Sequence, residues 1–442
     1  MRRLLLLGLL LLPASLAAQE RQCQFQVVRV GRTGTTQQDA TGTNYFAGGG
    51  VELTCAGTRV RMISDSVASY GGRIVQFIGK VNYEDSTITM TADRGTYYKQ
   101  GERWEARGRV VTTNRANGST ISGPALDYFR AVKGVRDTVE MYSIGRPTVR
   151  SVTIDSTGQP SEPYVIVADR IRMKGNERTW AGGKVTIDRS DFNARADSIA
   201  LDMGKGNRGI LVGTPVMKGL GRDSFELHGR RIEMQLENRQ VTYVTAFGEG
   251  HAISTQVDLV ADTIGLDIDQ RNLVQTLAWG DSIPPRAVTS DYEIRGDSLA
   301  FDTPQRLLKE VRSFGRGWVG GKVDPATKDR DWMSGDSVTA TFVQWDSSGT
   351  TRTTLGQLRA SGTARSFYRV SNTQQAAVLP SINYSRGEKI TVFMKTGAER
   401  GVDHVDLRGA VDGIHLEPLP AGAVPDSSVT APTAAPNSQR SR

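Results

Sequence analysis

The chain has 442 residues, with 48 Gly, 16 Pro, only two Cys and a formal charge of +8. That composition excludes a disulfide-rich scaffold. Lys, Arg, Asp and Glu alternate along the whole length, which excludes the basic stripe that grips nucleic acid, so no nucleic-acid partner is expected.

Residues 1–18 have the order of a secretory signal peptide. Met1-Arg2-Arg3 is positive, Leu4 to Leu12 is apolar, Pro13 breaks the run, and Ser15-Leu16-Ala17-Ala18 offers small residues for cleavage after Ala17 or Ala18. The run is too short to span a bilayer usefully. Cleavage would remove Arg2 and Arg3 and take the charge from +8 to +6 (8 − 2). Residues 19–44 read as a lead-in. Cys23 lacks the small apolar residues that precede a lipid-anchored cysteine. A bridge between Cys23 and Cys55 fits an oxidising compartment, but spacing leaves paired and free thiols equally open.

From residue 45 onward the chain repeats itself. A small residue, Asp, a short polar or basic residue and an aliphatic one recur, as in Ser64-Asp65-Ser66-Val67, Ala168-Asp169-Arg170-Ile171, Ala196-Asp197-Ser198-Ile199 and Ala261-Asp262-Thr263-Ile264. Ala92-Asp93-Arg94, Gly296-Asp297-Ser298-Leu299 and Gly335-Asp336-Ser337-Val338 belong to the same series, and Gly229-Arg230-Arg231-Ile232 carries Arg in the Asp position. Four units share a strict frame of nine and nine residues: Asp127/Arg136/Gly145, Arg230/Arg239/Gly248, Asp262/Arg271/Gly280 and Asp297/Arg306/Gly315. The residue before each glycine is large and apolar: Ile144, Phe247, Trp279 or Phe314.

Apolar residues alternate, which predicts strands with one buried face. Phe77 and Val81 share one parity, as do Ile88 and Met90. Beyond the Asp the runs are Ile199/Leu201/Met203, Ile232/Met234 and Ile264/Leu266. The parity changes at the Asp: Phe192/Ala194/Ala196 precedes Asp197, and Ile199/Leu201/Met203 follows it. A one-residue slip sends side chains to the other face. An extra residue is therefore expected at each Asp, making Asp65, Asp93, Asp169, Asp197, Asp262, Asp297 and Asp336 corners whose carboxylates cap nearby backbone N–H groups. Repeats occupy 45–155, and further ones, open to reading as a second module, occupy 156–410. Residues 411–442, rich in Pro, Ala and Ser, read as a disordered tail.

Enzyme motifs are weak. Gly296-Asp297-Ser298-Leu299 spells a hydrolase nucleophile block, but it is one copy of the repeat, and the first histidine after it is His404. Gly204 to Gly209 matches dinucleotide glycine spacing but lies between strands and reads as a hairpin turn. His228, His251, His404 and His415 show no metal-ligand spacing. No catalytic residue, metal or cofactor is expected.

Ile88-Thr89-Met90-Thr91-Ala92-Asp93, Tyr97-Tyr98 and Gly108-Arg109-Val110 together resemble the LptA/OstA-like family, which includes LptA and the periplasmic N-terminal part of LptD. The likeness is nearest over Tyr45 to Arg150 and looser beyond. It implies an all-β fold, a repeat-built β-jellyroll made as a V-shaped, taco-like rolled antiparallel sheet with an apolar inner groove. It further implies a periplasmic lipopolysaccharide carrier that stacks on other Lpt-type jellyrolls, or on itself, through edge strands. The inner-face residues Phe77, Val81, Ile88, Met90, Ile199, Leu201, Met203, Ile232, Met234, Ile264 and Leu266 would then hold acyl chains. Lys80, Arg109 and Lys184 would meet anionic headgroups at the rim. The alternative is a structural or interaction repeat of the cell envelope with a filled core. Set beside that family, the chain reads as about twice the repeats of one such domain, and no LptD-like C-terminal barrel is expected in it.

Overall fold

The computed structural model describes residues 23–418, apart from 41, 133, 155–157, 221–223, 239, 305–306, 326–327, 348–349, 371–379 and 396–400. The expected signal peptide, most of the expected tail, Arg239 and Arg306 lie outside the described residues. The described chain is all-β, its regular elements being strands that pair antiparallel.

The chain divides into two compact units. The first holds residues up to Thr255 together with Ala261–Val274; the second holds Gln256–Val260 and residues from Gln275 onward. This division falls well beyond residue 155, where the repeat frame first loosens in the sequence.

In the first unit a meander runs through Gly42–Cys55, Arg61–Tyr70, Ile74–Glu84, Ile88–Tyr98, Arg103–Asn114 and Thr120–Phe129. Thr120–Phe129 then pairs with two half-length strands, Glu140–Ile144 and Thr148–Ser151. Those pair with Arg170–Lys174 and Tyr164–Val167, which both lie on Arg178–Asp188. The same division recurs after Phe192–Asp202, where Arg208–Val212 and Val216–Gly219 take its two halves. In the second unit Glu310–Gly321, Trp332–Ser347, Thr350–Val370 and Ser381–Met394 form another meander.

The predicted lead-in contains strands. Phe25–Val30 and Gly34–Asp39 pair with the two halves of Gly42–Cys55. The start of the predicted tail likewise contains Asp412–Leu416, which pairs with Ser381–Met394. Both segments escape the alternation rule for one reason. They are edge strands held by backbone hydrogen bonds, largely exposed on both faces, and so need no apolar parity.

Cys23 and Cys55 are joined by a disulfide that closes a 32-residue separation and fixes the first edge strand to its neighbour. Loop-closure entropy alone assigns such a link about 3–4 kcal/mol. Cys23→Ser/Cys55→Ser protein should therefore melt several degrees lower, with added reductant having no further effect on it.

The parity change at the Asp has a geometry that differs from the expected one. Gly79 and Lys80 stand opposite the single residue Asp93, and Gly183 and Lys184 opposite Asp197. The extra residue belongs to the glycine-bearing strand, not to the Asp strand. Both residues of each pair take positive φ: 78° and 45° at Gly79 and Lys80, 83° and 46° at Gly183 and Lys184. Successive left-handed residues bend the strand sharply, which L side chains resist, so glycine leads the pair. A Cβ at Gly79 would also lie 2.5 Å from Asp65 Oδ2. The neighbouring Asp strand follows the bend by turning two consecutive residues outward, as Asp197 and Ser198 do between buried Ala196 and Ile199.

Candidate functional site

The predicted inner-face residues all lie in the core. Phe77, Val81, Ile88, Met90, Ile199, Leu201, Met203, Ile232, Met234, Ile264 and Leu266 are none of them more than 8% exposed. Near the start of the first unit the space between them is filled. The Trp104 ring centre lies 5.0 Å from that of Phe77 and 4.9 Å from that of Tyr83. Phe77 and Tyr83 sit on opposite sides of the bulge in one strand, so the two limbs of the bent sheet meet through Trp104. Tyr97 and Tyr128 complete the cluster, with centres 6.3 Å from Trp104 and 6.0 Å from Tyr83 respectively.

A buried polar network borders these rings. Asp85, 4% exposed, accepts from the Thr87 and Ile88 backbone N–H groups at 2.7 and 2.8 Å. It also accepts from the Tyr83 and Tyr128 hydroxyls at 2.9 and 2.7 Å. Glu102, 6% exposed, accepts from the Cys23 N–H at 3.0 Å, the Tyr97 hydroxyl at 2.7 Å and Arg130 Nη1 at 2.8 Å. Arg130 Nε lies 3.8 Å from Asp85, so one guanidinium joins the turn after Ile74–Glu84 to the turn after Ile88–Tyr98. Burial, with Asp85 beside them, holds the Tyr83 and Tyr128 hydroxyls well above the ordinary phenol range, which keeps them as donors.

At the bends of Asp93, Asp169, Asp297 and Asp336 the carboxylate engages a facing segment. Arg109 donates its backbone N–H to Asp93 Oδ2 at 3.1 Å, and its guanidinium pairs with the same carboxylate at 2.9 Å. Those hydrogen bonds outweigh desolvation and lower the Asp93 pKa. Arg316 pairs with Asp297 at 2.6 Å, Arg146 with Asp169 at 3.2 Å, and Thr363 donates to Asp336 at 2.7 Å. Where Arg230 replaces the Asp, Glu249 replaces the basic partner and the two still pair. Lys80, Arg109 and Lys184 stand within the bulges. These pairs are solvent-exposed and add little each. Replacing Asp197, whose carboxylate packs over Gly213, by Ala should lower stability by about 1 kcal/mol by analogy with a lost cap, read as a shift of the denaturation midpoint.

Asp127 shares the nine-residue frame but not the bend. Pro124 occupies that position, packing on Gly145, while Asp127 pairs with Arg107 at 2.7 Å. The Gly204–Gly209 stretch forms the turn between paired Phe192–Asp202 and Arg208–Val212. His228 and His251, distant in sequence, are cross-strand neighbours.

A concavity of about 420 Å³ opens on the exposed side of the first unit. Trp180, Arg170 and Arg172 line it against Ile210 and Val212, over the small residues Gly182, Ser198 and Ala200. Of the predicted inner-face residues, Ile199 also borders it.

In the second unit Arg286, Arg295 and Arg330 converge on Glu293, with Arg286 Nε and Arg295 Nε donating at 2.6 and 2.7 Å and Arg330 Nη1 at 2.8 Å. Burial pulls the Glu293 pKa up, but the hydrogen bonds from Arg286, Arg330 and Arg295 outweigh it and bring it from 4.5 to about 2. A depressed folded-state pKa contributes stability that is complete above the unfolded value and disappears as pH falls through the folded one. Unit two should therefore lose stability between about pH 5 and pH 2, and Glu293→Gln should flatten that part of the acid-denaturation curve.

The chain matches no family model, and no curated protein matches it either.

Proposed function

We propose that this chain is an exported carrier of lipopolysaccharide or a related anionic glycolipid, holding acyl chains within a jellyroll of the LptA/OstA type. The observation that carries the reading is the apolar side that stays buried through bends of the first unit such as those at Asp93 and Asp197, although the parity changes at each. Ile199/Leu201 pair with Leu211/Gly209, which pair in turn with Ile232/Met234, so a buried row crosses three strands, and Ile264/Leu266 are buried in a later strand. Acyl chains need a continuous apolar lining, each buried CH₂ contributing about 0.8 kcal/mol. The Cys23–Cys55 disulfide agrees with an oxidising compartment such as the periplasm. Exposed strands at Phe25–Val30 and Gly34–Asp39 offer an edge for a further jellyroll or a second copy.

The aromatic filling around Trp104 favours the second reading, an envelope interaction protein whose core is simply packed. On the first reading lipid occupies the section beyond Thr120–Phe129, and the filled end closes it. Organic extraction of the purified full chain, followed by mass spectrometry, separates the two. Acyl lipid recovered in stoichiometric amount, and diminished by Leu201→Asp, is expected. Protein that is folded, lipid-free and unable to take up added lipopolysaccharide would leave only the second reading.

A further inference from the structure

We infer that the second unit carries a surface site for a phosphate monoester, built by Arg286, Arg295 and Arg330 around Glu293. The three arginines carry three positive charges and Glu293 one negative, leaving a surplus of two. A dianionic phosphate monoester matches that surplus, whereas a single carboxylate leaves half of it uncompensated.

The cluster is built and not incidental. Ala287, Ile294 and Val319 form one cross-strand row on the buried side, which sets Arg286, Arg295 and Trp318 in the adjacent row on the opposite side. Glu293 faces this exposed side yet is only 8% exposed. The reason is Gly320, its cross-strand partner: the Trp318 ring and the Arg330 stem occupy the space a Cβ at Gly320 would need. Arg295 and Arg330 both lie over the Trp318 ring, at 5.1 and 5.5 Å from its centre, which fixes two of the guanidinium planes.

Donors remain after Glu293 is satisfied. Each guanidinium has five N–H groups, and the carboxylate uses only one or two from each arginine. The side chains of Arg286 and Arg295 are about half exposed, at 49% and 53%, so their unused forks face solvent. Nearby acids are engaged elsewhere: Asp324 and Asp331 pair with Arg369, and Asp291 with Lys322. Glu293 thus acts as a hub that gathers three like charges, and an oxyanion on the open side relieves their repulsion. The site does not rest on the interior lipid reading, because none of these residues faces the buried side.

The test is titration calorimetry of the full chain with methyl phosphate and with pyrophosphate, beside flotation with phosphatidic acid or phosphatidylcholine vesicles. Saturable binding is expected, weakened about tenfold or more in Arg286→Gln/Arg330→Gln and unaffected in Arg208→Gln, an exposed arginine of the first unit. Glu293→Gln should also weaken binding, since it removes the charge that gathers the three arginines; a purely structural cluster predicts no binding in any variant. Binding to phosphatidic acid vesicles together with the soluble phosphates identifies a lipid headgroup as an accessible ligand, and binding to the soluble phosphates alone identifies a free one. Absence of saturable binding, or equal weakening by Arg208→Gln, overturns the site. An unchanged circular dichroism spectrum of each variant guards against unfolding.

Discussion

Replacing Arg130 by methionine is expected to destabilise the first unit by about 3 kcal/mol, among the largest effects of any single charge removal in the chain. The magnitude follows from what the substitution leaves behind. Asp85 and Glu102 are both under 10% exposed, and Arg130 is the cation that reaches both. Their remaining donors are neutral: two tyrosine hydroxyls and two backbone N–H groups at Asp85, one of each at Glu102. Neutral donors satisfy lone pairs but do not offset two buried negative charges. Glu102→Gln in the Arg130→Met background should recover part of the loss, because the amide oxygen can still accept from the Cys23 N–H and its NH2 can donate to the Tyr97 hydroxyl while the charge disappears. Calorimetry on the three proteins measures this. Equal melting of Arg130→Met and the parent would mean that the network is ornamental.

The sequence makes much of this architecture legible and hides its polar part. Alternation such as Ile88/Met90 or Ile264/Leu266 reports which side of a strand is buried, because burial alone sets that parity. The change of parity at Asp197 likewise announces a bend. It does not say which strand carries the extra residue, since that depends on Gly183 and Lys184, which are neighbours of Asp197 only through pairing. The exchange of Arg230 with Glu249 for Asp with a basic residue is visible in the sequence only once that pairing is known. Edge strands such as Gly34–Asp39 leave no apolar trace because backbone bonds alone hold them. Asp85, Glu102 and Arg130 come from three separate turns and strand ends, so no local motif unites them. The arginines around Glu293 are hidden for the same reason: Arg286 and Arg295 flank a hairpin, but Arg330 arrives from beyond the next two strands in sequence.

Trp104→Ala is expected to cost about 3–5 kcal/mol, and its pattern across variants tests whether the two limbs of the bent sheet are held together by packing. Trp104 is 1% exposed and touches Phe77 and Tyr83, which lie on either side of the bulge. Removing the indole takes away the group common to both limbs, and neither the paired strands nor the disulfide lets them close the gap. Gly95 adds to the constraint, because a Cβ there would lie 2.5 Å from the Trp104 ring; Gly95→Ala should therefore be destabilising in the parent and much less so beside Trp104→Ala. Trp104→Phe makes the complementary comparison. The indole Nε1 is buried with no hydrogen-bond partner among the described residues, so phenylalanine removes an unsatisfied donor while retaining most of the ring contact. Denaturant unfolding should rank Trp104→Phe well above Trp104→Ala, with the Gly95→Ala cost shrinking in the latter. Equal costs for alanine and phenylalanine would show that ring volume at this position contributes nothing, and that the limbs are joined by something other than this ring.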